Sequence, residues 1–189
     1  AEMEELYGKI VSRFTVEDDA EVAIEVDPRV TTDEQLGLLR RLGFNRISMG
    51  VQDFTPEVQA AINRNQTEEQ TVAMIAKCRE LGLESLNIDL IYGLPRQTVA
   101  AFVGNLDRVI ALRPGRVAVY SYAHVPWMKA NQRKTEEALL PSPEDKLRLF
   151  AEARRAFTAA GYDPIGMDHF ALPDDELAVA AREGKLHRN

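Results

Sequence analysis

Four times along this chain a helical run ends in a glycine and passes at once into an apolar strand. The instances are LLRRLG-FNRISMGVQD, KCRELG-LESLNIDLIYG, VIALRPG-RVAVYSYAHV and AFTAAG-YDPIGMDHF, and the glycines are Gly43, Gly82, Gly115 and Gly161. Glycine at that place stops a helix because it accepts φ > 0 without a Cβ clash. An earlier strand, EVAIEV (21–26), follows an opening helical run through the polar turn EDDA. The helices also carry start signals: Thr32-Asp33, Thr67-Glu68-Glu69, and Ser142-Pro143-Glu144 before a helix reaching Ala160. Alternating β and α with short links confines the chain to the α/β class, with five parallel strands joined by right-handed crossovers. The glycines stand 39, 33 and 46 residues apart, too unevenly for a strict solenoid repeat. A (β/α) barrel segment or an open doubly wound sheet remains.

Composition narrows the setting. With 189 residues, 45% of them hydrophobic, the chain can bury one sizeable core. The formal charge is −7 and the basic residues are scattered without interleaved aromatics, which argues against a nucleic-acid partner. No apolar run reaches the roughly 18 residues that a membrane span needs, and no signal-peptide pattern opens the chain. Cys78 is the single cysteine, which rules out a disulfide framework and suits a cytoplasmic protein. The chain opens on AEMEELYGKIVSRF, the body of a helix without a capping start, and closes on GKLHRN. The expectation is that residues 1–189 are a fragment of a longer protein.

Polar residues recur on one face near the strand C-termini. Side chains alternate faces along a strand. In SLNIDLIYG, Leu86, Ile88 and Leu90 face one way and Asn87, Asp89 and Ile91 the other. Ala23, Glu25 and Asp27 share a face opposite Val22, Ile24 and Val26, and Ser48, Gly50 and Gln52 oppose Ile47, Met49 and Val51. Ser121, Ala123 and His124 close the fourth strand. A sheet buried on both faces should be apolar on both. Polar groups at comparable heights on several strands instead point to a ligand in the mouth of a barrel. For any one of these residues, a loop cap or a buried partner is as good an account as a binding role.

Other residues carry weaker signals. Cys78 has helical spacing to Met74, Ile75 and Leu81, which makes it a core thiol. His124, His169 and His187 lack the spacing of a metal site and have no companion cysteines. Arg64, in a loop after a strand, is by default a solvated arginine; the sharper reading is a two-bond clamp on a carboxylate.

The segments IEVDP, FNRISMGVQDF, INRNQ, NIDLIYGLP, YSYAHVPW, NQRK, GMDHFALPDDELA and LHRN resemble the oxygen-independent coproporphyrinogen III oxidases, radical S-adenosylmethionine (radical SAM) enzymes of haem biosynthesis. The resemblance runs from about Ala20 to Asn189. It implies part of a radical SAM partial (β/α)6 TIM-like barrel. Neither the family's CxxxCxxC motif, whose thiolates hold a [4Fe–4S] cluster, nor its GGGTP segment occurs here. The expectation is a barrel fragment without the first strands and the C-terminal domain, inactive by itself.

For the parent protein the resemblance implies oxidative decarboxylation of two propionates of coproporphyrinogen III to vinyls, giving protoporphyrinogen IX. S-adenosylmethionine and a [4Fe–4S] cluster would be the cofactors, with an electron donor and an electron acceptor as partners. Residue by residue, Glu25, Gln52, Arg64, Asp89 and Ala123 match family positions that contact S-adenosylmethionine. Carboxylates and amides suit its hydroxyls and ammonium, and a cation suits its carboxylate. Asn87 would support Asp89. Arg96, Arg133 and Lys134 are candidates for the substrate's carboxylates. Asp168 and His169 receive no chemical step, and no metal ligand is assigned. Two other readings stay open. One is a haem-binding chaperone on the same scaffold, against which GMDHFALPDDELA weighs. The other is an unrelated barrel enzyme or structural α/β module, which predicts no affinity for S-adenosylmethionine.

Overall fold

The structure, a computed structural model, describes residues 2–187, the side chain of Asn131 excepted. Arg188 and Asn189 of the LHRN segment lie outside the described residues. The strands are β1 (Ala23–Val26), β2 (Arg46–Gln52), β3 (Ser85–Tyr92), β4 (Arg116–Ser121), β5 (Asp163–Ile165) and β6 (His169–Ala171). The helices are α1 (Glu2–Val11), α2 (Asp33–Arg41), α3 (Pro56–Ala61), α4 (Glu68–Glu80), α5 (Val99–Leu112), α6 (Pro143–Ala159) and α7 (Glu176–Arg182). They build one six-stranded sheet in the order β1-β2-β3-β4-β6-β5.

The first four strands pair in parallel, as the alternation predicts. The fifth expected strand does not. YDPIGMDHF breaks at Gly166 (φ +66) into β5 and β6, a hairpin in which both pairings are antiparallel. A glycine in the left-handed region reverses the chain where an extended residue would have continued it. The helix ends follow the glycine rule at Gly43, Gly82 and Gly161, with φ of +92°, +72° and +87°. They depart from it at Gly115: there Arg113 takes the left-handed position (φ +48) that ends α5. The helix starts are as expected. Thr32 with Gln35 and Thr67 with Gln70 form capping boxes, and Ser142 caps α6 with Pro143 in its first turn.

The core lies between one face of the sheet and the helices. Ile47, Met49, Leu86, Ile88, Leu90, Val117, Val119 and Phe170 pack against Leu36, Ile75, Phe102, Leu106, Leu149 and Phe157. Burying each such side chain is worth about 1.5–3 kcal/mol. Cys78 belongs to this core and is fully buried, and burial pushes its thiol up to about 11. A thiol so placed has little thiolate to react. Ellman's reagent should therefore leave Cys78 unmodified in the folded chain and titrate one thiol in denaturant. Reaction at a free-thiol rate in the native state would mean that α4 opens readily.

The opposite face is closed at the N-terminal ends of the strands by ions. Arg46, which begins β2, donates to Glu21 at 2.7 Å and lies 3.5 Å from Asp175. Arg116, which begins β4, donates to the other oxygen of Asp175 at 2.6 Å and stands 3.3 Å from Glu21. Asp175 also caps α7 through the amide of Leu177. Its side chain and that of Arg46 are each only 7% exposed. No helix among the described residues is long and apolar enough to cross a membrane.

Candidate functional site

Strand register assembles the polar face. Glu25 aligns with Ser48, and Ser48 with Asn87. One step further along, Gly50 aligns with Asp89, Asp89 with Ala118, and Ala118 with His169. Asp89 thus lies in a row whose immediate neighbours are glycine and alanine, so no bulky side chain stands beside it. The alternation in β3 is as predicted, with Leu86, Ile88 and Leu90 fully buried and Asn87, Asp89 and Ile91 half-buried.

Asn87 is a positioning group within this face. Its Nδ2 donates to Ser48 Oγ at 2.8 Å and to Asp89 Oδ1 at 2.7 Å. Burial raises the pKa of Asp89 and is the largest influence on it. The Asn87 bond pulls the other way, Glu25 reinforces the rise, and His169 opposes it. The Tyr120 phenol is raised by burial and by Asp89, Asp168 and Glu25. Sequence reasoning missed Tyr120, although its register opposite Ile91 puts it on this face.

β2 ends irregularly. The register slips between Gly50 and Gln52, and Gln52 adopts φ +67. A side chain on Gly50 would bring its Cβ within 2.6 Å of Gln52 Nε2, so the bare glycine is what lets Gln52 curl over the strand. Arg64 stands past α3, a short helix begun by Pro56 that sequence reading passed over. Its Nη2 donates to the Gly50 carbonyl at 2.6 Å and lies 3.8 Å from Asp27. Asp27 is held down to about 2, chiefly by its bond to Arg29 and further by the charge of Arg64. Burial pulls the Arg64 pKa down, while Asp27 and Glu25 support its charge.

Three side-chain atoms here are buried and find no partner among the described residues: Gln52 Oε1, Asn87 Oδ1 and Arg64 Nε. Buried polar atoms are ordinarily paired, so two acceptors and one donor left together suit a polar ligand. Ala123 lies just beyond β4, exposed, with its carbonyl accepting from Gln132 Nε2 at 2.9 Å. Gln52, Arg64 and Asp89 therefore gather around the β2–β3 ends, Glu25 stands on β1 in the row of Ser48 and Asn87, and Ala123 stands at the β4 exit. Loop positions are braced by Asp53, which is fully buried. It accepts from Gln97 Nε2 at 2.7 Å and from the Thr55 amide at 2.6 Å, tying the segments after β2 and β3 together.

The hairpin brings in the pair that sequence left without a role. His169 Nδ1 is 2.8 Å from Asp168 Oδ1, and the imidazole stands edge-on to Tyr120 with centroids 6.0 Å apart. Of the cations proposed for carboxylates, Arg133 is tethered through Nε to the Pro126 carbonyl at 3.1 Å. Arg96 and Lys134 line a common cleft. Among the described residues, no group of three or more His, Cys, Asp or Glu is placed to hold a metal ion.

The chain is similar in sequence and fold to known proteins. Oxygen-independent coproporphyrinogen III oxidase of Escherichia coli is 52% identical over all 189 residues, and that of Pseudomonas aeruginosa is 48% identical. The chain spans about two fifths of the length of each, 41%. The solved Escherichia coli coproporphyrinogen III oxidase superposes with a TM-score of 0.95 over 99% of this chain and 43% of its own. Elp3 of Methanocaldococcus infernus, 17% identical, shares the fold with a TM-score of 0.58 over 70% of this chain. The radical SAM superfamily model matches residues 2–109, from α1 through the β1–β3 strands that carry Glu25, Gln52 and Asp89 and most of the way along α5. The chain belongs to the radical SAM superfamily.

Proposed function

We propose that the polypeptide carrying this chain is an oxygen-independent coproporphyrinogen III oxidase, with the face around Asp89 holding S-adenosylmethionine. The observation that carries the reading is the 52% identity along all 189 residues to oxidases of that name. The donor set fits the ligand. Glu25 and Asp89 are carboxylates suited to an ammonium and ribose hydroxyls, Gln52 Oε1 is an unpaired acceptor, and Arg64 offers an unpaired Nε to a carboxylate. Bound S-adenosylmethionine, given an electron from the cluster, would supply the means to abstract hydrogen from the propionate carbon attached to the pyrrole ring. The chain's own residues bind and orient it. Asn87 fixes the rotamer of Asp89, Gly50 leaves room for Gln52, and the Gly50 carbonyl steers Arg64.

The described residues do not fit a [4Fe–4S] cluster. Cys78 is buried in the helical layer, and a cluster needs several thiolates. The cluster is therefore assigned to polypeptide outside these residues, as are the electron donor and acceptor that the reaction requires. The acidic total and lone cysteine support a cytosolic setting with no nucleic-acid partner.

The test is turnover by the polypeptide completed to the length of its relatives, assembled without oxygen and given coproporphyrinogen III, S-adenosylmethionine, reductant and an acceptor extract. Protoporphyrin should form. No product together with stable haem binding would replace the oxidase by a haem carrier. Gly50→Ala supplies a finer check. The added methyl forces Gln52 aside and should weaken S-adenosylmethionine binding about tenfold, the value of one hydrogen bond to a charged or polarised group. Unchanged binding in a calorimetric titration would remove Gln52 from the site.

A further inference from the structure

Two clefts adjoin the candidate site. The larger, about 590 Å³, is bordered by Asn63, Tyr122, Gln132 and Lys134. A second, about 450 Å³, shares Ala61, Lys134 and Thr135 with it and continues to Arg96. Asn63 immediately precedes Arg64, and Tyr122 immediately precedes Ala123. The larger cleft therefore begins where the proposed S-adenosylmethionine site ends, and the second leads on from it, past Lys134, to Arg96.

The charge in them is unspent. Arg29, Arg46, Arg64 and Arg116 each have a carboxylate within 4.0 Å. No such ion pair is formed by Lys134 or Arg96 among the described residues, and both side chains are exposed. Glu57 borders the second cleft as well, so one acid weighs against the two cations.

Arg96 is also held in an unusual place. Its φ is +65, a conformation natural to glycine. The loop leaves it no freedom, since its amide donates to the Leu139 carbonyl at 2.7 Å and the next residue, Gln97, is locked to Asp53 and to the Gly93 amide. A non-glycine residue held in this region with an exposed side chain that forms no ion pair among the described residues fits a functional position.

We propose that Lys134 and Arg96 form a carboxylate-binding subsite that receives two propionate groups of a tetrapyrrole seated beside the site. The subsite rests on the oxidase reading above. A polycarboxylate approaching a chain of net charge −7 needs local cations, and these two stand along one continuous opening. A guanidinium gives one acid two parallel bonds, and the ammonium meets the other as a point charge.

The test uses coproporphyrin III, the unreactive oxidised tetra-acid, titrated by fluorescence into the completed polypeptide. The variants are Arg96→Gly, which suits the left-handed backbone, Lys134→Ala, their double variant, and Lys134→Arg as the rescue. Each single loss should weaken binding at least fivefold, and the double at least thirtyfold. Lys134→Arg should recover most of the affinity, and salt should weaken the wild type more than the double variant. The tetramethyl ester should bind the wild type no better than the acid binds the double variant. S-adenosylmethionine affinity should stay within twofold throughout. A double variant that binds the tetra-acid as the wild type does would overturn the subsite, and with normal turnover would leave the oxidase reading intact. A wild type that binds no coproporphyrin at all would overturn the subsite, while the turnover assay decides the oxidase reading separately. Haem bound as tightly as coproporphyrin, with no response to either variant, would overturn the subsite in favour of an apolar seat.

Discussion

Replacing Asp175 by Ala should cost the chain about 3–5 kcal/mol, the usual price of breaking a buried ion pair by removing one partner. The carboxylate is 7% exposed and serves two arginines whose side chains are 7% and 13% exposed. Without it, Glu21 must answer both guanidinium groups from a side chain that is 39% exposed. The loss of the α7 cap adds about 1 kcal/mol. Against a total stability of about 5–15 kcal/mol, such a loss decides whether the chain folds at physiological temperature. Urea denaturation followed by circular dichroism measures it. Glu176→Ala is the control, because Glu176 is 78% exposed and only grazes Arg46 at 4.0 Å; it should change stability by less than about 0.5 kcal/mol. A loss below about 1 kcal/mol for Asp175→Ala would show that water reaches the arginines.

Asp89→Asn should separate binding from stability. Asparagine keeps an oxygen for the Asn87 bond but loses the charge that would pair with an ammonium. S-adenosylmethionine affinity should fall about 10- to 100-fold, since a hydrogen bond to a charged group is worth about 1.5–3 kcal/mol. The fold should tolerate the change or gain from it. Asp89 is raised above its ordinary 3.8 by burial, so the folded state holds this proton to higher pH than the unfolded chain. Stability from this group therefore falls as pH rises from about 3.8 through the raised value, because the native state then buries a charge. The variant carries no such cost, and its melting temperature should gain on the wild type as pH rises toward neutrality. Calorimetric titration and thermal melts across pH read the two effects. Equal ligand affinity would remove the Asp89 charge from the binding site, and a melting temperature below the wild type's at neutral pH would show that the charge is paired in the free protein.

Much of this site was legible because its signal is local. Asn87 and Asp89 announce their face by alternation within one strand, and Cys78 announces its burial by helical spacing to its neighbours. The misreadings come where two signals compete or where partners are distant. At the end of α5, the glycine suggested the stop, yet Arg113 takes the left-handed turn two residues earlier. In YDPIGMDHF, apolar content suggested one strand, while Gly166 makes it a hairpin. α3 is only 6 residues long, too short for periodicity to show. The Arg46–Asp175 contact spans 129 residues, and no local pattern encodes which acid meets which base. For the same reason the sequence assigns Asp168 and His169 no step, whereas the hairpin brings His169, with Asp168 bonded to it, to the row of Asp89.

The terminal hairpin gives the sheet a direction of growth. β5 is an edge of only three residues with Pro164 at its middle, and a proline offers no N–H to a newcomer. Recruitment of a strand, from the same polypeptide or another molecule, is therefore disfavoured on that side. The opposite edge, β1, has no proline within Ala23–Val26 and already runs parallel to its neighbour. Assembly by strand addition, whether it completes a barrel or joins copies into an aggregate, should proceed from β1.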